Sequence, residues 1–333
     1  MDVVRLESPR GHIRFEDSLE HFEHGVLRLL GLGRDAFEHW LAVAETEPAE
    51  WVLDCLGSAF RRLSPMARGS TLSSGRVAPG PGGVPGSLWH TSIADHRSFG
   101  VARADDGSIA WLVQEHDDQW VRVLEPPTAE ELHLAELRNV HDPQRSHSQW
   151  RREKAVRLAS ELVEVARLRS GRVLEVGAET DDFRYALEDV GLEHDGIGVA
   201  EARQTRELVQ LRPAGYAAVT CWDSLARHAD PAGLVAAARN CLLSHGMVAI
   251  KTPNIRCPEA RMFGPHFHCL KREHLTYFTP ESLTRTLQQA GFEVVSLVSV
   301  SHLLVGFIGA GACAELAAQM RGSDLIGYFR RVD

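Results

Sequence analysis

Between Arg172 and Asn254 the chain alternates short apolar runs with amphipathic ones. In order they are "RVLEVG" (172–177), "DFRYALEDVG" (182–191), "DGIGVA" (195–200), "RQTRELVQL" (203–211), "YAAVTCW" (216–222), "DPAGLVAAARNCLL" (230–243) and "GMVAIKTPN" (246–254). Short continuous apolar runs suit strands covered on both faces, as parallel sheets require. Parallel neighbours cannot be joined by a tight turn and need a crossover, usually a helix. This βαβα rhythm therefore restricts the fold to α/β, with a doubly wound, Rossmann-like sheet. "TPESLTRTLQQAGFEVVSLVSVS" (279–301) adds a further helix and strand. Its Thr279-Pro280 start joins a capping residue to a proline at the first helical position.

The segments ahead of this core read differently. "SQWRREKAVRLASELVEVARL" (148–168) is a basic amphipathic helix whose charges form a solvated face. "SFGVARADDGSIAWLVQEHDDQWVRVLEP" (98–126) alternates apolar and polar residues, with turns expected at Asp105-Asp106-Gly107 and at His116-Asp117-Asp118. A small β-meander is expected there. "SPMARGSTLSSGRVAPGPGGVPGS" (64–87) is too rich in Gly, Pro and Ser to hold a helix, so a linker or loop is expected. Residues 17–63 carry apolar residues at helical spacing. The expected organisation is a helical region at 1–63, a linker at 64–91, a β-rich region at 92–147 and the α/β domain at 148–333.

Composition excludes several classes. A formal net charge of −9 argues against a dedicated nucleic-acid binder. The six cysteines include no C-x-x-C pair, which suits reduced thiols in a cytoplasm. The N-terminus has acids and no apolar h-region, so no secretory signal is expected. The most apolar run, "LLVGFIGAGACA" (303–314), is too short to span a bilayer and is expected to be a core element. A small molecule or a protein is the expected partner, with no nucleic acid and no membrane. His266, His268, Cys269 and His274 are metal-ligand types, but their spacing matches no common zinc site and no metal is expected.

Four segments resemble the class I S-adenosylmethionine-dependent methyltransferases, in the bacterial branch that acts on sugars and small metabolites. They are "VLEVGA" (173–178), "YAAVTCWDSLARHADP" (216–231), "CLLSHGMVAIKTPN" (241–254) and "REHLTYFTPESLTRTLQQAGFEVV" (272–295). The likeness runs from near residue 148 to near 300. It implies S-adenosylmethionine as cofactor, held by a glycine-rich loop after the first strand. In this chain Gly177 fits the first glycine position, with Ala178 after it, but Glu179 and Asp181 stand where later glycines would fall.

The other implied site residues are mixed. Glu175, in the first strand, matches the acid that helps hold the loop and the cofactor's ammonium group. At the end of the second strand the family keeps an acid for the ribose; Ala200 stands there, with Glu201 one step on. Only residues 200–215 lie between Val199 and Tyr216, too few for the usual helix and third strand, so that strand is expected to be missing. Trp222 and Asp223 keep the fourth-strand motif, with Asp223 a base or an orienting group, or else an aromatic and a helix cap. Ala226 and Arg227 replace the family's Glu and His, with His228 one step beyond. His274 matches a residue of the loop over the substrate pocket.

Charge also weighs against the cofactor. Glu179, Asp181 and Asp182 would crowd its carboxylate. One like-charge pair ~4 Å apart costs roughly 4 kcal/mol at an effective dielectric of about 20, against about 8 kcal/mol for micromolar binding. The same acids suit the positive end of a helix beginning near Phe183, with Thr180 or Asp181 as cap. Two functions follow: a methyltransferase fold that no longer binds S-adenosylmethionine and acts as a partner subunit or repurposed catalyst, or an active, divergent methyltransferase.

Overall fold

The computed structural model describes residues 149–178, 180–198, 215–263, 269, 273–301 and 305–333, together with Leu53 and strand segments between residues 6 and 123. It forms two compact units, each discontinuous in sequence. One comprises Pro126–Pro253, Glu273–Val298 and Leu325–Asp333; the other comprises Met1–Glu125, Asn254–Arg272 and Ser299–Asp324. The sequence divides instead into expected regions at 1–63, 64–91, 92–147 and 148–333.

In the unit that begins at Met1, β1 (Leu6–Ser8) pairs with β2 (Gly11–Ile13). The stretch expected as a linker contributes two strands, β3 (Arg76–Val77) and β4 (Gly86–Leu88). β5 (His90–Ile93) and β6 (His96–Phe99) form a separate pair. The meander follows as β7 (Val101–Arg103), β8 (Ile109–Glu115) and β9 (Val121–Val123). β8 lies between β4 and β9, and β7 also pairs with it, all antiparallel. The turns expected at Asp105-Asp106-Gly107 and His116-Asp117-Asp118 lie outside the described residues. Of the helical stretch at 17–63, only Leu53 lies among the described residues; it is helical and buried.

The other unit opens with helix α1 (Gln149–Ala166). Ala155, Leu158, Ala159 and Leu162 recur at helical spacing and are buried, while the charged residues between them face outward. Leu162 is fully covered, so truncation to Ala would cost about 2–5 kcal/mol. Then come β10 (Arg172–Val176), α2 (Asp182–Asp189) and β11 (Glu193–Ile197). β12 (Tyr216–Trp222), α3 (Pro231–Cys241) and β13 (Leu242–Pro253) complete the central portion. Asp230 caps α3 by accepting from the Gly233 N–H at 2.9 Å.

α4 (Pro258–Phe263) and α6 (Val305–Ala318) belong to the unit that begins at Met1, whereas β14 (Thr276–Tyr277), α5 (Pro280–Gln289) and most of β15 (Phe292–Val300) and β16 (Asp324–Arg331) belong to the unit that opens with α1. The apolar run at 303–314 thus lies mostly in α6, which buries Ala312, Cys313 and Leu316. No helix among the described residues is long and apolar enough to cross a membrane.

The main sheet has six strands in the order β11-β10-β12-β13-β16-β15. β10 pairs in parallel with β11 and β12, and β12 in parallel with β13. β16 runs the other way: the Asn254 N–H donates to the Ser323 carbonyl at 2.8 Å, while Arg331 Nη1 donates to the Leu242 carbonyl at 2.6 Å. Val173, Leu174, Val176, Ala218, Val219, Val248, Ala249 and Ile250 fill both faces of the central strands. That is why these segments read as unbroken apolar runs rather than alternating ones. The second strand ends at Ile197, not at Ala200 as expected from "DGIGVA". Among the described residues β11 is the sheet edge; the segment expected to lack the third strand lies outside them.

Candidate functional site

The turn after β10 is shaped by Gly177, whose φ of +90° lies where a side chain is disfavoured. The amides of Gly177 and Ala178 both donate to the Ile197 carbonyl, at 2.8 and 2.9 Å, which ties this turn to the end of β11. Gly196 matters for the same reason: a Cβ there would sit 3.0 Å from the Cβ of Ala178. The glycine missing at 181 causes no strain. Asp181 adopts ordinary right-handed helical angles, φ −79° and ψ −2°. Glu179 lies outside the described residues.

α2 begins at Asp182 and Asp181 holds its N-cap position, but no side chain caps it. The expected cap by Thr180 or Asp181 is thus corrected. Thr180 donates its hydroxyl to Asp182 at 3.1 Å, and Arg184 reaches back to Asp181 at 3.1 Å and forward to Glu188 at 3.1 Å. A cation three residues along a helix meets an acid more readily than the short Asp181 side chain meets its own helix amides.

Glu175 is the one acid within β10, and it is buried. Its Oε2 lies 3.0 Å from Nε2 of His194, on the neighbouring strand β11. Phe183 of α2 stands edge-on to both His194 and Trp222, with ring centroids 6.5 and 5.6 Å apart. The Trp222 Nε1–H is buried and makes no hydrogen bond. Cys221, beside it in sequence, is buried and its thiol is pushed up to about 12, chiefly by desolvation, which keeps it protonated and inert.

Asp223, the first residue after β12, occupies the left-handed region at φ +61°. Its amide donates to the Lys251 carbonyl at 2.9 Å. Its carboxylate takes Lys251 Nζ at 2.7 Å on one oxygen and Lys154 Nζ at 3.2 Å on the other. Burial alone would raise the carboxyl pKa, but the two ammonium groups outweigh it and hold Asp223 far below the usual carboxylate range. So acidic a group is a poor general base, because proton abstraction works best near the operating pH. Its carboxylate is held between the two lysines, one on each oxygen. Next to it, the Ser224 hydroxyl donates to the Val176 carbonyl at 2.6 Å and joins the ends of β10 and β12.

The altered fourth-strand motif forms a buried turn. Leu225, Ala226, Arg227 and His228 are all covered, and the His228 imidazole engages the Asp230 main chain at 2.9 Å. The Leu275 amide donates to the Ala226 carbonyl at 2.7 Å, fastening the segment that carries His274 to this turn. His274 is itself buried, its ring inclined to that of Tyr277 with centroids 6.0 Å apart.

The structure therefore brings together Glu175, Gly177, Ala178, Trp222 and Asp223 at the carboxyl ends of β10 and β12. Glu201, His266 and His268 lie outside the described residues. Three site groups went unread in the sequence: Lys154, Lys251 and His194. Lys251 carried a signal, a lone cation inside an otherwise apolar strand. Lys154 carried none, since it shares a helix with other exposed cations.

Residues 148–297 match a family model described as a methyltransferase domain. Solved structures of similar architecture include an S-adenosylmethionine-dependent methyltransferase of Thermotoga maritima, 14% identical, covering 54% of this chain and 97% of that one at a TM-score of 0.35. Another is an S-adenosylmethionine-dependent methyltransferase of Archaeoglobus fulgidus, 13% identical over 53% of this chain and 94% of that one, at a TM-score of 0.40. The search of curated protein sequences finds no match.

Proposed function

We propose, on the premise that residues 148–297 form a methyltransferase domain of the class I fold, that the chain does not bind S-adenosylmethionine in the family's ordinary way. It serves instead as a non-methylating binding subunit or repurposed catalyst in the cytoplasm, acting on a small molecule or a protein partner. The observation that carries this reading is the internal pairing of both candidate ligand acids. Glu175 is engaged by His194, and Asp223 by Lys154 and Lys251.

The fit of the cofactor supports the same reading. Its ammonium group would have to displace His194 from Glu175, and its carboxylate would approach the end of β10 where Asp181 and Asp182 begin α2. The amides of Gly177 and Ala178, the donors such a turn would offer a ligand, are engaged by the Ile197 carbonyl. These residues do not fit the group.

A second reading, an active and divergent methyltransferase of a sugar or small metabolite, is favoured by the family match itself. Calorimetric titration of the full chain with S-adenosylmethionine and S-adenosylhomocysteine separates the two. No heat up to millimolar concentration is expected. Micromolar binding that weakens in Glu175→Ala would establish the second reading instead.

A further inference from the structure

We propose that β15, the outer strand of the main sheet, pairs edge to edge with β15 of a second copy of this chain, antiparallel and centred on Ser296. The inference goes beyond the reading above and does not depend on how the strand ends treat a cofactor.

Exposure is the first reason. β15 ends the strand order on the side away from β11, with β16 as its neighbour. Val294, Val295 and Val298 are 40%, 37% and 45% exposed. Among the described residues no other strand leaves more than one large apolar side chain exposed. Sheet edges are ordinarily guarded by Lys, Pro or a very short strand. β15 runs nine residues without proline, and Glu293 is its only charge. A bare apolar edge of this kind is a template for another strand.

Backbone direction is the second. The Val332 amide, just past β16, donates to the Gly291 carbonyl at 3.0 Å. The Phe292 N–H on the same planar peptide therefore points away from β16. Successive residues of a strand turn their amides to opposite sides. The N–H and C=O groups of Val294, Ser296 and Val298 thus face the open edge, with Ser296 midway between the two valines.

The third reason selects a second copy as the occupant: the strand is self-complementary about Ser296. With Ser296 opposite its own copy, Val294 meets Val298 and Val295 meets Leu297, and the two-fold repeats both contacts. The outward residues then fall in hydrogen-bonded positions, and their four valines gather on one face of the joined sheet. Charge agrees. The two Glu293 carboxylates lie at opposite ends of the pair, about 20 Å apart along the strands. A parallel pair in register would set them side by side, which is destabilising. Moving the antiparallel centre to Leu297 would oppose Ser296 to Val298 and Val295 to Ser299, and moving it to Val295 would oppose Glu293 to Leu297. So short a pairing falls below the standard interface size, which places the expected association in the micromolar range.

The test is analytical sedimentation of the full chain from about 1 to about 100 μM, a range that brackets micromolar affinity. The wild type is expected to pass from monomer to dimer as concentration rises. Val294→Lys should weaken the dimer at least about tenfold, because the two-fold repeats the change at both ends of the pair. Val298→Glu should do the same, and Tm at low concentration controls for folding of both variants. Mixed in equal amounts, the two variants should recover a dimer, since their new charges oppose one another across the strands. Ser296→Cys is an independent check. Cα atoms of a hydrogen-bonded antiparallel pair lie about 5.5 Å apart, within disulfide reach, so mild oxidation should link two copies there. A wild type that stays monomeric throughout, a dimer of unchanged affinity in Val294→Lys, or no cross-link through Ser296→Cys would overturn the proposal. A dimer lost in both valine variants and not recovered on mixing would overturn the antiparallel register.

Discussion

Nε2 of His194 lies 3.0 Å from Oε2 of Glu175, linking the second strand of the sheet to the first, with Phe183 edge-on to the imidazole. Both side chains are almost wholly covered, at 7% and 8% exposure. Hydrogen bonds to a buried charged group are worth more than neutral ones, because the group left behind bears its desolvation alone. His194→Ala should therefore lower stability by about 2 kcal/mol, measured by urea denaturation. In a Glu175→Gln background the same change should cost clearly less. Equal losses in both backgrounds would mean that the pair is not coupled.

Asp223 holds a backbone conformation that favours Asn and Gly over other residues. Asp223→Asn and Asp223→Ala both remove the ion pairs with Lys154 and Lys251, but only Ala adds the left-handed penalty. Asp223→Ala should be the less stable of the two by about 1 kcal/mol. Equal midpoints in denaturant would show that the turn relaxes.

The same carboxylate sets an acid limit. Its folded pKa lies below its unfolded one, so its contribution is present above the unfolded value and is lost as pH falls. Wild-type stability should decline below about pH 4 more steeply than that of Asp223→Asn. Parallel curves would remove Asp223 as the cause.

Glu259 acts in the opposite sense. It is fully buried in α4, with Ser301 and Cys257 beside its carboxyl group. Desolvation first, and the charge of Asp324 second, push its pKa from 4.5 up to about 7. A raised pKa favours the protonated fold, so this contribution is complete below the unfolded value and is lost as pH rises through about 7. The loss across that window should be about 3 kcal/mol. Glu259→Gln should flatten stability over the same range, as followed by thermal melts in a pH series. A wild-type profile that stays level there would contradict the burial.

Thr279 makes a reciprocal capping box with Ser282: its hydroxyl accepts from the Ser282 amide at 3.1 Å, and its own amide donates to the Ser282 hydroxyl at 2.9 Å. Thr279→Ala should cost about 1 kcal/mol. Circular dichroism melts would reveal the cost as a lowered Tm. Thr279→Ser should restore most of it, and failure of that rescue would point to packing of the Thr methyl instead.

The alternating core was legible because each element carries its own signal. Buried strands show as apolar runs, and α5 announces itself with Thr279-Pro280. Where the reading slipped, local sequence was ambiguous. "LEHDGIGVA" contains several residues that could begin or end a strand, and pairing with β10 from Arg172↔Glu193 to Val176↔Ile197 settled the bounds at 193–197. Arg76–Val77 and Gly86–Leu88 gave no strand signal amid Gly and Pro, yet found partners across a sheet.

The residues at the strand ends divide in the same way. Sequence alone determined that Glu175, Gly177, Trp222 and Asp223 would meet, because parallel strands of one sheet place their carboxyl ends side by side. Tertiary structure alone decided what each acid would face. His194 is 19 residues from Glu175, while Lys251 and Lys154 are 28 and 69 residues from Asp223. Coulombic pairing depends on distance through space, and that distance exists only after strand order and helix docking are set. Helical and strand periodicity describe which face a side chain takes, not which charge waits on the neighbouring element.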